Sequence, residues 1–158
     1  ADGSSWARGQ SWGLYGYTVM YRETGLQRYL DQAQHIADFL INHPNIPEDK
    51  IPYWDYDAPG IPNTERDASA GAIMASALIE LSGYVGPEKK DKYLAVAEKQ
   101  IRSLASPAYM AKTGENADFI LMHSVGSLPG NSEVDVPLTY ADYYFIEALM
   151  RYRTLLEK

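Results

Sequence analysis

Apolar positions recur every three to four residues along most of the chain, the spacing of one face of a helix. Leu26, Tyr29, Leu30, Ala33, Ile36, Ala37 and Leu40 form one such stripe. Gln27, Arg28, Asp31, Gln34 and Asp38 fill the opposite face, so Leu26 to Asn42 reads as an outer, half-solvated helix that Pro44 ends. A second outer helix, about Glu88 to Leu104, turns Tyr93, Leu94, Ala97, Ile101 and Leu104 inward. Each is preceded by a helix of another kind, one from about Ser5 to Glu23 and one from about Asp67 to Tyr84. The later of these is crowded with Ala68, Ser69, Ala70, Gly71, Ala72, Ala75, Ser76 and Ala77. A last helix is expected from about Leu138 to Leu156.

The two helical pairs resemble each other. Tyr29, Leu30 and Ala33 recur as Tyr93, Leu94 and Ala97, each 64 residues on, and glycine stands in both turns (Gly25; Gly83 and Gly86). Weak repetition of this kind marks stacked helical hairpins, in which each unit buries its face only against its neighbours. The fold class is therefore all-α. Between the pairs runs a long loop, His43 to Thr64, punctuated by Pro44, Pro47, Pro52, Pro59 and Pro62. Its Pro52-Tyr53-Trp54-Asp55-Tyr56-Asp57 run is too aromatic for disorder. Phe119 to His123 reads as a short extended segment, and a loop through Gly126, Pro129 and Gly130 leads into the last helix.

Composition narrows the function classes. With 158 residues, 46% apolar and 22% charged, the chain has the size and balance of one globular domain. Thirteen tyrosines and three tryptophans against three phenylalanines favour a wet, ligand-facing cavity. A formal charge of −7 argues against a nucleic-acid groove. No run approaches the ~20 apolar residues of a membrane span. Cysteine is absent, which excludes disulfides and thiolate metal sites. No His/Asp/Glu grouping has metal-ligand spacing, and neither a phosphate loop nor a Gly-x-Ser-x-Gly elbow occurs, so no metal and no cofactor are expected. His35, on an outer helix, and His43, before a proline, read as structural.

Chemistry concentrates in the opening stretch, Ser4 to Tyr17. Ser4 or Ser5 is placed to cap the first helix. Arg8 and Trp12 stand four residues apart on one face of it. Gly9, Gly13 and Gly16 each cost about 1 kcal/mol relative to alanine, and close approach of a neighbouring helix or a ligand is the usual offset. A guanidinium beside an indole suits an acidic sugar, with an ion pair for its carboxylate and a flat ring for its pyranose. The other reading is a packed inner helix whose arginine pairs with a buried acid. Tyr53, Trp54 and Asp55 either rim the same cleft or pack across helix ends. Asp67, Glu133, Asp135 and Asp142 lie near helix starts, where carboxylates cap.

Three blocks carry a family resemblance: Trp6-Ala7-Arg8-Gly9-Gln10-Ser11-Trp12-Gly13-Leu14-Tyr15-Gly16, Pro52-Tyr53-Trp54-Asp55-Tyr56-Asp57-Ala58-Pro59, and Asn131 to Tyr144. In that order, spread over nearly the whole chain, they resemble signatures of the unsaturated glucuronyl hydrolases. The resemblance implies an (α/α)6 barrel of six hairpins with inner helices lining a cleft. It also implies that residues 1–158 are the C-terminal portion of one such catalytic domain, since family members are more than twice as long. The two family aspartates that carry the chemistry are then expected upstream of Ala1, and no catalytic residue is assigned here.

The implied reaction is hydration of the vinyl ether in a 4,5-unsaturated uronyl oligosaccharide left by a polysaccharide lyase, which needs a carboxyl tuned between acid and base. Arg8 and Trp12 match family residues that contact the unsaturated uronate. The segment His123 to Pro129 matches the family loop facing the next sugar, which adds Ser124, Gly126 and Ser127 as substrate-binding positions. Pro129 stands where relatives favouring sulfated fragments carry lysine, against a sulfate preference. The expected partners are the oligosaccharide and either the remaining N-terminal portion of the barrel or a self-associated copy, in bacterial cytoplasm or periplasm. A non-catalytic helical-repeat module that binds glycan or protein through its tyrosine-rich face is the competing class.

Overall fold

The small-residue helix is the centre of the molecule. The computed structural model describes residues 3–157 and among them forms five α-helices and one two-stranded hairpin: α1 (Ala7–Thr24), α2 (Gln27–Asn42), α3 (Ala68–Ser82), α4 (Pro87–Leu104), β1 (Ser124–Ser127), β2 (Ser132–Val136) and α5 (Thr139–Leu156). Every residue of α3 except Glu80 is buried. Its Ala, Ser and Gly side chains let α1 and α5 close in on either flank, while α4 covers a third side and α2 backs α1. Inner helices α1, α3 and α5 thus alternate with outer α2 and α4, as the pattern predicts.

Two apolar clusters hold the layers. One joins Leu14 of α1, Leu40 of α2, Leu78 of α3 and Tyr93 of α4 around the loop residue Tyr56. The other, at the start of α3 and α5, gathers Ile51, Leu104, Leu121, Leu138 and Phe145. The turn signals act where expected: Gly25 closes α1 in the left-handed conformation (φ 67°), and α2 stops at Asn42 before Pro44.

Three details differ from expectation. The stretch through Gly126, Pro129 and Gly130 reads as a loop, yet it forms an antiparallel hairpin with Val125 opposite Val134 and Ser127 opposite Ser132. Its strands are short and polar, so no alternating stripe announces them. The extended piece placed at Phe119 to His123 makes only an isolated bridge, Met110 with Leu121, and the strand begins at Ser124. At the front of α1 neither serine caps. The helix starts after Trp6 without a side-chain cap, because Ser4 Oγ and Ser5 N both donate to the Asp55 carboxylate instead.

The acids near α5 differ as well. That helix has no side-chain cap. Asp142 accepts from Ile120 N and Leu121 N, each at 2.8 Å, and Asp135 pairs with His123 at 2.6 Å. Glu133 lies in β2. Asp67 alone behaves as expected, as the N-cap of α3.

Candidate functional site

The start of α1, the proline-rich loop and the hairpin meet around a cavity of about 660 Å³. Trp6, Trp54, Pro59, Leu128 and Pro129 give it an apolar wall, and Arg8, Asp55, Asp57, Gly126 and Ser127 bring polar groups to it. The loop is laid against α1 by backbone pairing: Ala7 N donates to Trp54 O and Tyr56 N to Ser5 O, both at 3.0 Å. Asp55 is buried, and its Oδ1 also accepts from Asp57 N at 2.8 Å. This buried aspartate therefore fixes the cavity's second wall.

Arg8 is buried at the base of the cavity, and both readings of it meet there. Its Nη1 faces Asp67 Oδ2 at 3.3 Å and also donates to Val125 O, while Nη2 donates to Gly126 O at 2.6 Å. The guanidinium plane lies between the Trp6 ring at 5.0 Å and the Tyr140 ring at 5.3 Å. An arginine has five N–H donors. Among the described residues Nε–H has no hydrogen-bond partner, which leaves the Nε side of the guanidinium as its free edge. Burial raises the Asp67 carboxyl above its ordinary value, against the downward pull of the Ser69 hydrogen bond and the Arg8 charge.

Trp12 shares a helix face with Arg8 but does not line this cavity. It turns to an aromatic cluster with Tyr144 at 5.0 Å, Tyr140 at 6.3 Å and Tyr15 at 6.5 Å. Tyr15 in turn meets Glu147 at 3.1 Å, and burial with the Glu147 charge pushes its phenol up to about 12. The loop positions separate in a similar way. Ser127 is exposed on the wall, its Oγ accepting from Gly130 N at 3.2 Å, and Gly126 is half-buried beside Arg8. Ser124 is fully buried, off the wall, with its hydroxyl unpartnered. A Cβ at position 126 would strike the Glu133 side chain, so the hairpin admits only glycine there without shifting.

Sequence reasoning missed Asp67 as the partner of Arg8 and Tyr140 as its stacking ring. Tyr140 lies inside one of the three recognisable blocks, but nothing in spacing alone ties it to residue 8. A second, polar cavity of about 470 Å³ opens on the far side of the hairpin base, among Asp49, Glu65, Arg66, Tyr109, His123 and Asp135. Among the described residues no three His, Asp or Glu gather closely enough to hold a metal, and no helix is long and apolar enough to cross a membrane.

An inner row of helices backed by an outer row, with an aromatic cleft and a clamped cation at one rim, defines the architecture of stacked α/α hairpins. No family model matches the sequence. A curated relative does: the unsaturated glucuronyl hydrolase of Formosa agariphila is 47% identical over 155 residues, covering 98% of this chain and 38% of that protein. A solved unsaturated glucuronyl hydrolase specific for heparin superposes with a TM-score of 0.96 at 51% identity, over 99% of this chain and 42% of that one. An Asp→Asn variant of the Streptococcus agalactiae enzyme, complexed with dGlcA-GalNAc6S, gives 0.87 at 32% identity, over 96% and 40%. Over nearly its whole length the chain is homologous, in sequence and fold, to one part of the unsaturated glucuronyl hydrolases. It spans about two fifths of the length of the curated relatives it matches.

Proposed function

We propose that this chain is the substrate-holding part of a glycosidase that hydrates the vinyl ether of 4,5-unsaturated uronyl oligosaccharides, and that residues outside the sequence complete its (α/α)6 barrel. Arg8 carries the reading. Its guanidinium is immobilised at the base of an indole-walled cavity, yet among the described residues its Nε–H stays unpaired for a carboxylate. The names of the relatives, one specific for heparin and one complexed with dGlcA-GalNAc6S, support an unsaturated glycosaminoglycan fragment as substrate.

In this proposal Arg8 grips the uronate carboxylate. The sugar ring extends out of the cavity past Tyr140, whose ring neighbours both Arg8 and Trp12, so that Trp12 supplies the face beneath it. Gly126 and Ser127 border the next sugar, and the free hydroxyl of Ser124 stands one layer behind them. A carboxylic acid protonates C4, water adds at C5, and the hemiketal opens to release the next sugar. Positive charge develops at C5 on the way, and in this proposal the carboxylates that meet it come from residues outside this sequence. The exposed stripe of α5, with Tyr143 at 60%, Ile146 at 44% and Met150 at 55% exposure, is the edge on which further hairpins of the barrel would pack.

The test is the ultraviolet absorbance of the unsaturated uronate, which vanishes on hydration. With an unsaturated chondroitin or heparin disaccharide, this chain alone should leave the absorbance unchanged, and the chain extended upstream should abolish it. Decay with this chain alone would move the acid to a residue here, Asp67 or Asp135 first. Decay with neither would favour a glycan-binding module without chemistry.

A further inference from the structure

We infer that Asp67 is a positioning residue of the uronate site: it acts through Arg8, setting the direction in which the free edge of the guanidinium is offered. This inference rests on the reading of Arg8 as the carboxylate partner. A helix N-cap needs one side-chain oxygen, and Ser, Thr or Asn supplies it as well as Asp. Asp67 spends only Oδ1 in that way, accepting from Ser69 N at 3.0 Å, Ser69 Oγ at 2.5 Å and Ala70 N at 3.4 Å. Its second oxygen faces Arg8, with the Val125 amide also contributing to the carboxylate, in a site where Asp67 is completely buried. A buried charge that capping does not require calls for another role, and the guanidinium is the charged group that it touches.

The geometry states what that role is. Three anchors, Asp67 and the carbonyls of Val125 and Gly126, hold the two Nη groups of the guanidinium, and two rings restrain its faces. Of these only Asp67 carries charge, so it dominates the orientation. Rival acids stand close by. Asp57 lines the same cavity and Glu133 packs against Gly126. Without the Asp67 charge, Arg8 is free to swing toward either one and present its other edge to the ligand.

The experiment is titration calorimetry of this chain with an unsaturated uronyl disaccharide and with its uronate methyl ester, which lacks the charge. Asp67→Asn keeps the cap and removes the charge. It should weaken binding of the uronate by about tenfold, the worth of one misplaced charge-assisted hydrogen bond, and leave the ester unchanged. In an Arg8→Gln background the same substitution should add no further loss. Asp67→Glu, which keeps the charge but moves it by one methylene, should fall between, and it serves where the asparagine variant does not fold. Equal binding by wild type and variants, equal weakening of acid and ester, or additive losses with Arg8→Gln would each overturn the inference. Failure of the wild type to bind either compound would instead overturn the reading of Arg8 on which it rests.

Discussion

At the scale of single residues, Arg8 does two jobs with one side chain. It closes a buried ion pair with Asp67, and it stitches the hairpin to the helical layer through two backbone carbonyls. Removing one partner of a buried pair leaves the other charge uncompensated, at a cost of about 3–5 kcal/mol. Arg8→Met should therefore lower the unfolding free energy from urea titration by that much, and the amides of Val125 to Ser127 should lose protection from hydrogen exchange first. A loss near zero would mean that Arg8 does not anchor the hairpin. Arg8 and Trp12 are legible in the sequence because an arginine and an indole four residues apart on a glycine-rich helix are an unusual pair. Asp67 is hidden by its own second role, since an acid at a helix start reads as a cap. The two serines at the start of α1 mislead for the opposite reason: their preference for capping is outbid by Asp55, fifty residues away and invisible to local spacing.

At the scale of elements, periodicity carried most of the fold. All five helices fall within two residues of the expected bounds at both ends, because a stripe of apolar side chains decides where a helix packs. The hairpin stayed unread because four and five mostly polar residues carry no face. The glycines of α1 show a subtler limit. Gly9 leaves room for the Trp6 ring folded back over it, and Gly13 meets only Ile36 at 3.4 Å. Gly16 has nothing within 4 Å of a would-be Cβ. Gly16→Ala should therefore stabilise this chain by about 1 kcal/mol, the helix-propensity difference, as an upward shift of the urea midpoint. Gly9→Ala should instead displace Trp6 from Arg8 and change the indole fluorescence. A destabilising Gly16→Ala would show that the open space is filled by a neighbour.

At the scale of the molecule, the tyrosine-rich interior makes stability depend on alkaline pH. Burial, with Glu147 adding to it, lifts Tyr15 from 10.0 to about 12, and burial lifts Tyr56, Tyr93 and Tyr109 further still. Below pH 10.0 these phenols are protonated in folded and unfolded chains alike. Between 10.0 and about 12 the unfolded chain ionises while the folded chain does not, so stability is lost as the pH rises through that window. Urea midpoints should hold steady up to the start of the window and then fall, with the phenolate absorbance of these four, isolated by Tyr→Phe difference spectra, appearing only on unfolding. Ionisation of any of the four in the folded chain below that window would contradict their buried positions.

The claim that ties the three scales together is that the rim around Arg8 receives the uronate. It is tested most directly by following the backbone and indole resonances of this chain by NMR while an unsaturated uronyl disaccharide is added. The account predicts that Trp6, Arg8, Trp12, Gly126 and Ser127 shift together and that Arg8→Gln abolishes the response. Shifts confined to the second cavity around His123 and Asp135, or to the exposed stripe of α5, would contradict it.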